Sequence, residues 1–183
     1  MTCIIGYIDR KGKAIYMGSD SAGTSGSTIR IHKDPKVFIR DPFIIGFTSS
    51  FRMGQLLMSD ERFNIRIQKE KESDYDYMIS AFIPAIQKLF ETGGFLTKKN
   101  DEFFGGVFLV GYKDNLYYVD SDFQIAEFYE DHAACGCGEN YALGSLYSTR
   151  KEKTEDQIRE ALECAEHYSS GVRGPFNIIK KEF

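Results

Sequence analysis

Short β-rich runs that arrive in pairs, each pair joined by a brief turn, constrain this chain more than any other feature. Residues 3–9 (CIIGYID) and 14–19 (AIYMGS) are separated only by Arg10-Lys11-Gly12-Lys13. A second run that follows so soon must fold back antiparallel, because a parallel partner needs a crossover of about a dozen residues or more. Residues 36–39 and 43–47 repeat the arrangement around Arg40-Asp41-Pro42, and their apolar content predicts burial on both faces. Residues 103–112 (FFGGVFLVGY) and 115–120 (NLYYVD) repeat it again, and residues 123–128 and 178–181 read as further short strands.

Helical periodicity falls between these hairpins in two places. In FRMGQLLMSD (51–60), Met53, Leu56 and Leu57 share one helical face, with the preceding serines as possible caps. After a charged connection at 60–72, Tyr77, Met78, Phe82, Ile83, Ile86, Leu89 and Phe90 predict a helix over 73–92 that ends at Gly93-Gly94. Two more helices are predicted, over 139–147 and from Thr154 to Tyr168, the latter with Glu155 and Asp156 in its first turn. Residues 21–34, rich in Ser, Gly and Thr, read as a surface loop. The order ββββ-α-α-βββ-α-α-β puts helices in pairs rather than alternating with strands, which argues against a doubly wound sheet. The expectation is an α+β fold: a four-layer αββα sandwich of two antiparallel sheets flanked by helix pairs, in a single domain over 1–183.

Composition removes several function classes. With 27 acidic against 23 basic residues, nucleic acid is not the expected partner. No apolar run approaches the ~18 residues of a membrane span, and the first residues lack the basic start of a secretory signal, so a cytoplasmic location is expected. The four cysteines, Cys3, Cys135, Cys137 and Cys164, read as reduced. His132 with Cys135 and Cys137 has no standard zinc spacing, and no metal or cofactor is expected.

Six short segments, taken in order, give the chain a resemblance. They are Thr2-Cys3-Ile4-Ile5-Gly6, Gly18-Ser19-Asp20-Ser21, Lys36-Val37, Gly46-Phe47-Thr48-Ser49-Ser50, Gly136-Cys137-Gly138 with Tyr141-Ala142-Leu143-Gly144, and Ser170-Gly171-Val172. Together they resemble proteasome β subunits and the bacterial ring protease that shares their fold, members of the N-terminal-nucleophile hydrolases. The resemblance covers most of the chain. It implies a threonine hydrolase of amide bonds, with Thr2 as nucleophile once Met1 is removed. A threonine hydroxyl is a poor nucleophile and needs a base, and a free α-amine with an ordinary pKa of ~7.7–8.0 suits that task.

By the same resemblance, Lys36 stands beside the Thr2 hydroxyl, Asp20 pairs with Lys36, the Ser49 N–H meets the oxyanion, and Cys137 and Ser170 attend the amine. Each residue also has a plainer reading: Thr2 as a strand residue, Asp20 in a turn, Lys36 in solvent, Ser49 as a helix cap. The chain departs from the family at Cys137, where serine is usual, at Ser49, where glycine is common, and at His167, three residues before Ser170, where an aspartate is usual. The implied partners are a peptide or unfolded-protein substrate, further copies in a ring, and by analogy an unfoldase ATPase. Two alternatives keep the fold: a hydrolase of small amides, and an inactive ring subunit.

Overall fold

The computed structural model describes residues 1–183. Its two larger sheets are antiparallel throughout. The first has the order β12 (His132–Gly136), β1 (Cys3–Asp9), β2 (Ala14–Ser19), β13 (Asn177–Glu182). The second has the order β11 (Ile125–Ala126), β10 (Asn115–Val119), β9 (Phe108–Tyr112), β6 (Phe43–Phe47), β5 (Val37–Arg40). Two small hairpins accompany them: β3 (Ala22–Ser25) with β4 (Thr28–Ile31), and β7 (Thr97–Lys99) with β8 (Glu102–Phe104).

Strand alternation sorts the apolar side chains into three clusters, since successive residues of a strand point to opposite faces. Ile4, Ile8, Ile15 and Met17 of the first sheet meet Val37, Ile44, Leu109 and Leu116 of the second. The other face of the first sheet, through Cys3, Ile5 and Ala134, packs on α4 (Glu139–Ser148) and α5 (Thr154–Tyr168), with Leu146, Ile158 and Leu162 between them. The other face of the second sheet carries Phe43, Ile45, Phe47, Phe108 and Tyr117. These pack on α1 (Phe51–Ser59), α2 (Asp74–Tyr77) and α3 (Ile83–Thr92) through Leu56, Tyr77, Ile86 and Phe90. Both faces of each sheet are apolar, which explains why the strands read as near-continuous hydrophobic runs.

Five elements differ from the sequence reading. The predicted helix over 73–92 is interrupted by a π-helical segment, Met78–Phe82. Pro84 lies just beyond it; its ring would clash with the carbonyl four residues back, and the wider turn, closed by the Ile83 N–H on the Met78 carbonyl, admits it. Residues 21–34 contain the β3–β4 hairpin rather than only a loop, because Gly26 takes the positive φ of +56° that a tight turn needs. The run 103–112 splits: Glu102–Phe104 pairs with Thr97–Lys99, and only Phe108–Tyr112 enters the large sheet. Residues 132–136 form β12, a strand the sequence reading leaves out; the predicted strand at 123–128 shortens to Ile125–Ala126. No helix is long and apolar enough to cross a membrane.

Candidate active site around Thr2

Thr2 immediately precedes β1, an interior strand of the first sheet that pairs with β12 on one side and β2 on the other. Gly138 N–H donates to the Thr2 carbonyl at 3.3 Å, and Asp20 N–H donates to the Cys3 carbonyl at 3.3 Å. Beside it, Gly136 has φ +101°, and a side chain there would lie 2.2 Å from the Thr2 carbonyl oxygen. Glycine at 136 therefore permits both the backbone angle and the close approach.

The hydroxyl side of Thr2 is a closed network. Lys36, at the residue before β5, is 1% exposed and reaches across to Thr2. Its Nζ donates to Thr2 Oγ1 at 3.0 Å, to Asp20 Oδ1 at 2.8 Å and to the Ala22 carbonyl at 2.6 Å. An ammonium has three protons, and all three have acceptors here. Asp20 is completely buried and equally saturated. Its Oδ1 accepts from Cys3 N–H at 3.1 Å as well as from Lys36, and its Oδ2 accepts from Ala22 N–H at 2.9 Å and Arg173 N–H at 3.4 Å. Burial pulls the Lys36 pKa below its ordinary value of 10.5, and the neighbouring Asp20 carboxylate opposes that pull. A buried ion pair persists only when such additional hydrogen bonds satisfy both partners.

The nitrogen side is looser. Thr2 N–H donates to Cys137 Sγ at 3.3 Å, and Cys137 Sγ lies 3.3 Å from Ser169 Oγ. Gly171 N–H donates to the same Ser169 oxygen at 3.4 Å. Met1 is present, and its carbonyl accepts from the Thr2 hydroxyl at 2.5 Å. Its side chain fits against Gly171, where a Cβ would come within 2.2 Å of the Met1 Cβ.

A cleft of about 530 Å³ opens over Thr2, lined among others by Met1, Lys36, Arg30, His32, Ser49 and Phe51. Ser49 has φ +58°, a left-handed conformation that costs a non-glycine residue about 1–3 kcal/mol. Its side chain offsets that cost: Ser49 Oγ accepts from Val107 N–H at 3.1 Å and lies 3.1 Å from Thr48 Oγ1. The Ser49 N–H has no acceptor within the chain. Ser50, not Ser49, caps α1, accepting from Arg52 N–H at 3.1 Å.

Solved structures supply the comparison. A Thiobacillus denitrificans protein, BPH, in complex with epoxomicin superposes with a TM-score of 0.77 at 16% identity, over 99% of this chain and 98% of that one. The same BPH described without the compound gives 0.76, again at 16% identity, over 100% of this chain and 98% of that one. Eukaryotic HslV from Trypanosoma brucei gives 0.67 at 18% identity, over 100% of both chains. The fold is that of the proteasome-type N-terminal-nucleophile hydrolases. No protein-family model and no curated protein sequence matches the chain.

Within this proteasome-type fold, Thr2, Asp20 and Lys36 are brought into direct contact, Ser49 lines the same cleft, and Cys137 touches the Thr2 nitrogen. Ser170 is not brought in. It is exposed and makes no side-chain hydrogen bond, while Ser169 holds the position beside Cys137. Moving the register by one also changes the residue three positions upstream from His167 to Glu166. Glu166 Oε1 accepts from Gly174 N–H at 3.0 Å and lies 3.8 Å from Arg173, whose own N–H reaches Asp20. His167 instead packs edge-on against Tyr168, with ring centroids 4.6 Å apart. The sequence holds a signal for Ser169: two serines, Ser169 and Ser170, precede Gly171, and residue type alone does not choose between them.

Proposed function

We propose that the chain is an N-terminal threonine hydrolase of amide bonds, acting on peptides. The observation that carries this reading is the 3.0 Å contact between the Lys36 ammonium and Thr2 Oγ1, with Lys36 held by buried Asp20. Burying a lysine is costly, and here the buried charge is aimed at the Thr2 hydroxyl. All three Lys36 protons are committed, so Lys36 acts as a fixed positive charge rather than as the base. The base is the Thr2 α-amine, freed when Met1 leaves.

In this mechanism the Thr2 amine takes the hydroxyl proton as Oγ1 attacks the substrate carbonyl carbon. Lys36 lowers the pKa of the hydroxyl through its charge. The free Ser49 N–H donates to the oxyanion, a contact worth about 3–4 kcal/mol in such sites. Collapse of the tetrahedral species breaks the C–N bond, and the ammonium returns its proton to the leaving amine. Water then attacks the ester on Thr2, with the amine again taking a proton, and releases the acid. Cys137, with Ser169 behind it, orients the amine from the opposite side.

The four-layer arrangement, a homo-oligomeric ring, an unfoldase ATPase partner and a cytoplasmic location belong to the same reading. BPH in complex with epoxomicin makes that compound the first probe to try. Protein lacking Met1 is expected to gain the mass of one epoxomicin, and Thr2→Ala protein is expected to gain none. Retention of Met1 in cells, or labelling that survives Thr2→Ala, rules the proposal out. Turnover of acylated small amines without turnover of peptides would select the small-amide alternative.

A further inference from the structure

The cleft over Thr2 has a charge pattern opposite to that of the whole chain. The chain carries 27 acidic and 23 basic residues, yet the cleft is lined by Arg30, His32 and Lys36 and by no aspartate or glutamate. Asp20, the nearest carboxylate in the network, has both oxygens filled by backbone N–H groups and Lys36. The Arg30 guanidinium makes neither an ion pair nor a hydrogen bond, whereas Arg10, Arg62, Arg66, Arg159 and Arg173 are ion-paired and Arg40, Arg52 and Arg150 donate to backbone carbonyls.

Strand register explains how Arg30 comes to lie there. In the β3–β4 hairpin, Gly23 pairs with Arg30 and Ser25 with Thr28. Cross-strand partners share a face, and residues two apart on a strand share it too. Gly23, Ser25, Thr28, Arg30 and His32 therefore form one face, and all five line the cleft. Ile29 and Ile31 alternate to the other side and are exposed. Gly23 has no side chain, and a Cβ there would lie 2.2 Å from His32 Nε2. His32 occupies that gap and stacks on Phe51 with ring centroids 4.2 Å apart, which fixes the floor beside Arg30.

We propose that Arg30, with His32 beside it, selects peptides that carry a carboxylate side chain close to the scissile amide. This rests on the hydrolase reading above. An arginine fork matches a carboxylate with two parallel N–H donors, and no group within the cleft competes for it. A lysine side chain in the same position meets like charge from Arg30 and Lys36.

The test uses protein lacking Met1 and matched fluorogenic peptides with Glu, Gln or Lys at each of the three residues preceding the scissile amide. At one of these positions kcat/KM is expected to favour Glu over Gln by about tenfold, the scale of a charge-assisted hydrogen bond, with Lys last. The Glu-to-Gln ratio is expected to collapse in Arg30→Gln and to fall below the Lys-to-Gln ratio in Arg30→Glu. Robust turnover with no Glu preference at any position, or a preference unchanged in Arg30→Gln, overturns this inference and leaves the hydrolase reading standing. No turnover of any peptide together with no epoxomicin labelling overturns the hydrolase reading, and this inference with it.

Discussion

The two sides of Thr2 are built differently. On the hydroxyl side, Lys36 and Asp20 are buried, charged and fully hydrogen-bonded, with contacts of 2.6–3.4 Å to backbone groups on three separate segments. On the nitrogen side, the contacts are a thiol and a hydroxyl at 3.3 Å, half open to solvent, with Met1 still attached. The difference teaches which half tolerates change. A fixed charge must be over-determined, because an unpaired buried ion is costly. A terminal amine that has to take up and return a proton needs partners that bind it weakly in either state.

The sharpest break in this comparison is Met1 itself. A form in which Met1 is retained, by blocking its removal, is expected to lose all peptide turnover while its urea unfolding midpoint stays within the equivalent of about 0.5 kcal/mol. The nitrogen side would then control chemistry without holding the fold. Residual turnover above about one per cent of the Met1-free protein, with Met1 verified by intact mass, would mean that the amine is not the base.

The hydroxyl side should show the converse. Lys36→Ala leaves the Asp20 carboxylate buried without its cation, so a destabilisation of about 3–5 kcal/mol is expected along with loss of turnover. Urea unfolding measures the first and peptide hydrolysis the second. A stability change under about 1 kcal/mol would show that Asp20 is held by its backbone donors alone.

What the sequence made legible follows the same division. Thr2, Asp20 and Lys36 each have a plainer reading taken singly, and only the order of their segments along the chain ties them together; the structure joins them in one hydrogen-bonded network. The nitrogen side is written in small residues. Ala133-Ala134-Cys135-Gly136 has little β propensity of its own, and β12 exists because β1 pairs with it from Cys3↔Gly136 to Tyr7↔His132. That pairing is long-range and leaves no local trace. Ser169 and Ser170 differ only in which way the chain turns after α5, so their order was not readable from residue type. The β3–β4 hairpin was missed for a related reason: its Ser, Gly and Thr residues face a cleft rather than a core.

The register correction predicts a smaller effect within the nitrogen side. Ser169→Ala is expected to lower kcat about tenfold, through poorer placement of the amine, with KM little changed. Ser170→Ala is expected to change neither. Cys137→Ser restores a hydroxyl at the Thr2 nitrogen and is expected to keep activity within about threefold, because the replacement still offers a donor and an acceptor at that atom. Equal losses from both alanine variants would return Ser170 to the site and sink the assignment of Ser169.

The smallest effect separates stability from activity along the pH axis. Burial holds the Lys36 pKa below its ordinary 10.5 in the folded state. Between that lowered value and 10.5 the unfolded chain binds a proton on Lys36 that the folded chain does not, so stability gains from rising pH through this window. Below the window both states are protonated and Lys36 contributes no pH dependence. Activity should move the other way, since a neutral Lys36 no longer polarises Thr2 Oγ1. Subtracting the stability–pH curve of Lys36→Met from that of the wild type isolates the term, because the other groups titrate in both proteins. The difference is expected to shift toward the wild type as pH rises through the window, while wild-type kcat falls over the same range. A difference curve that is flat, or that falls, would mean that the Asp20 carboxylate outweighs burial at Lys36, and that the hydroxyl side keeps its charge to the full height of an ordinary lysine.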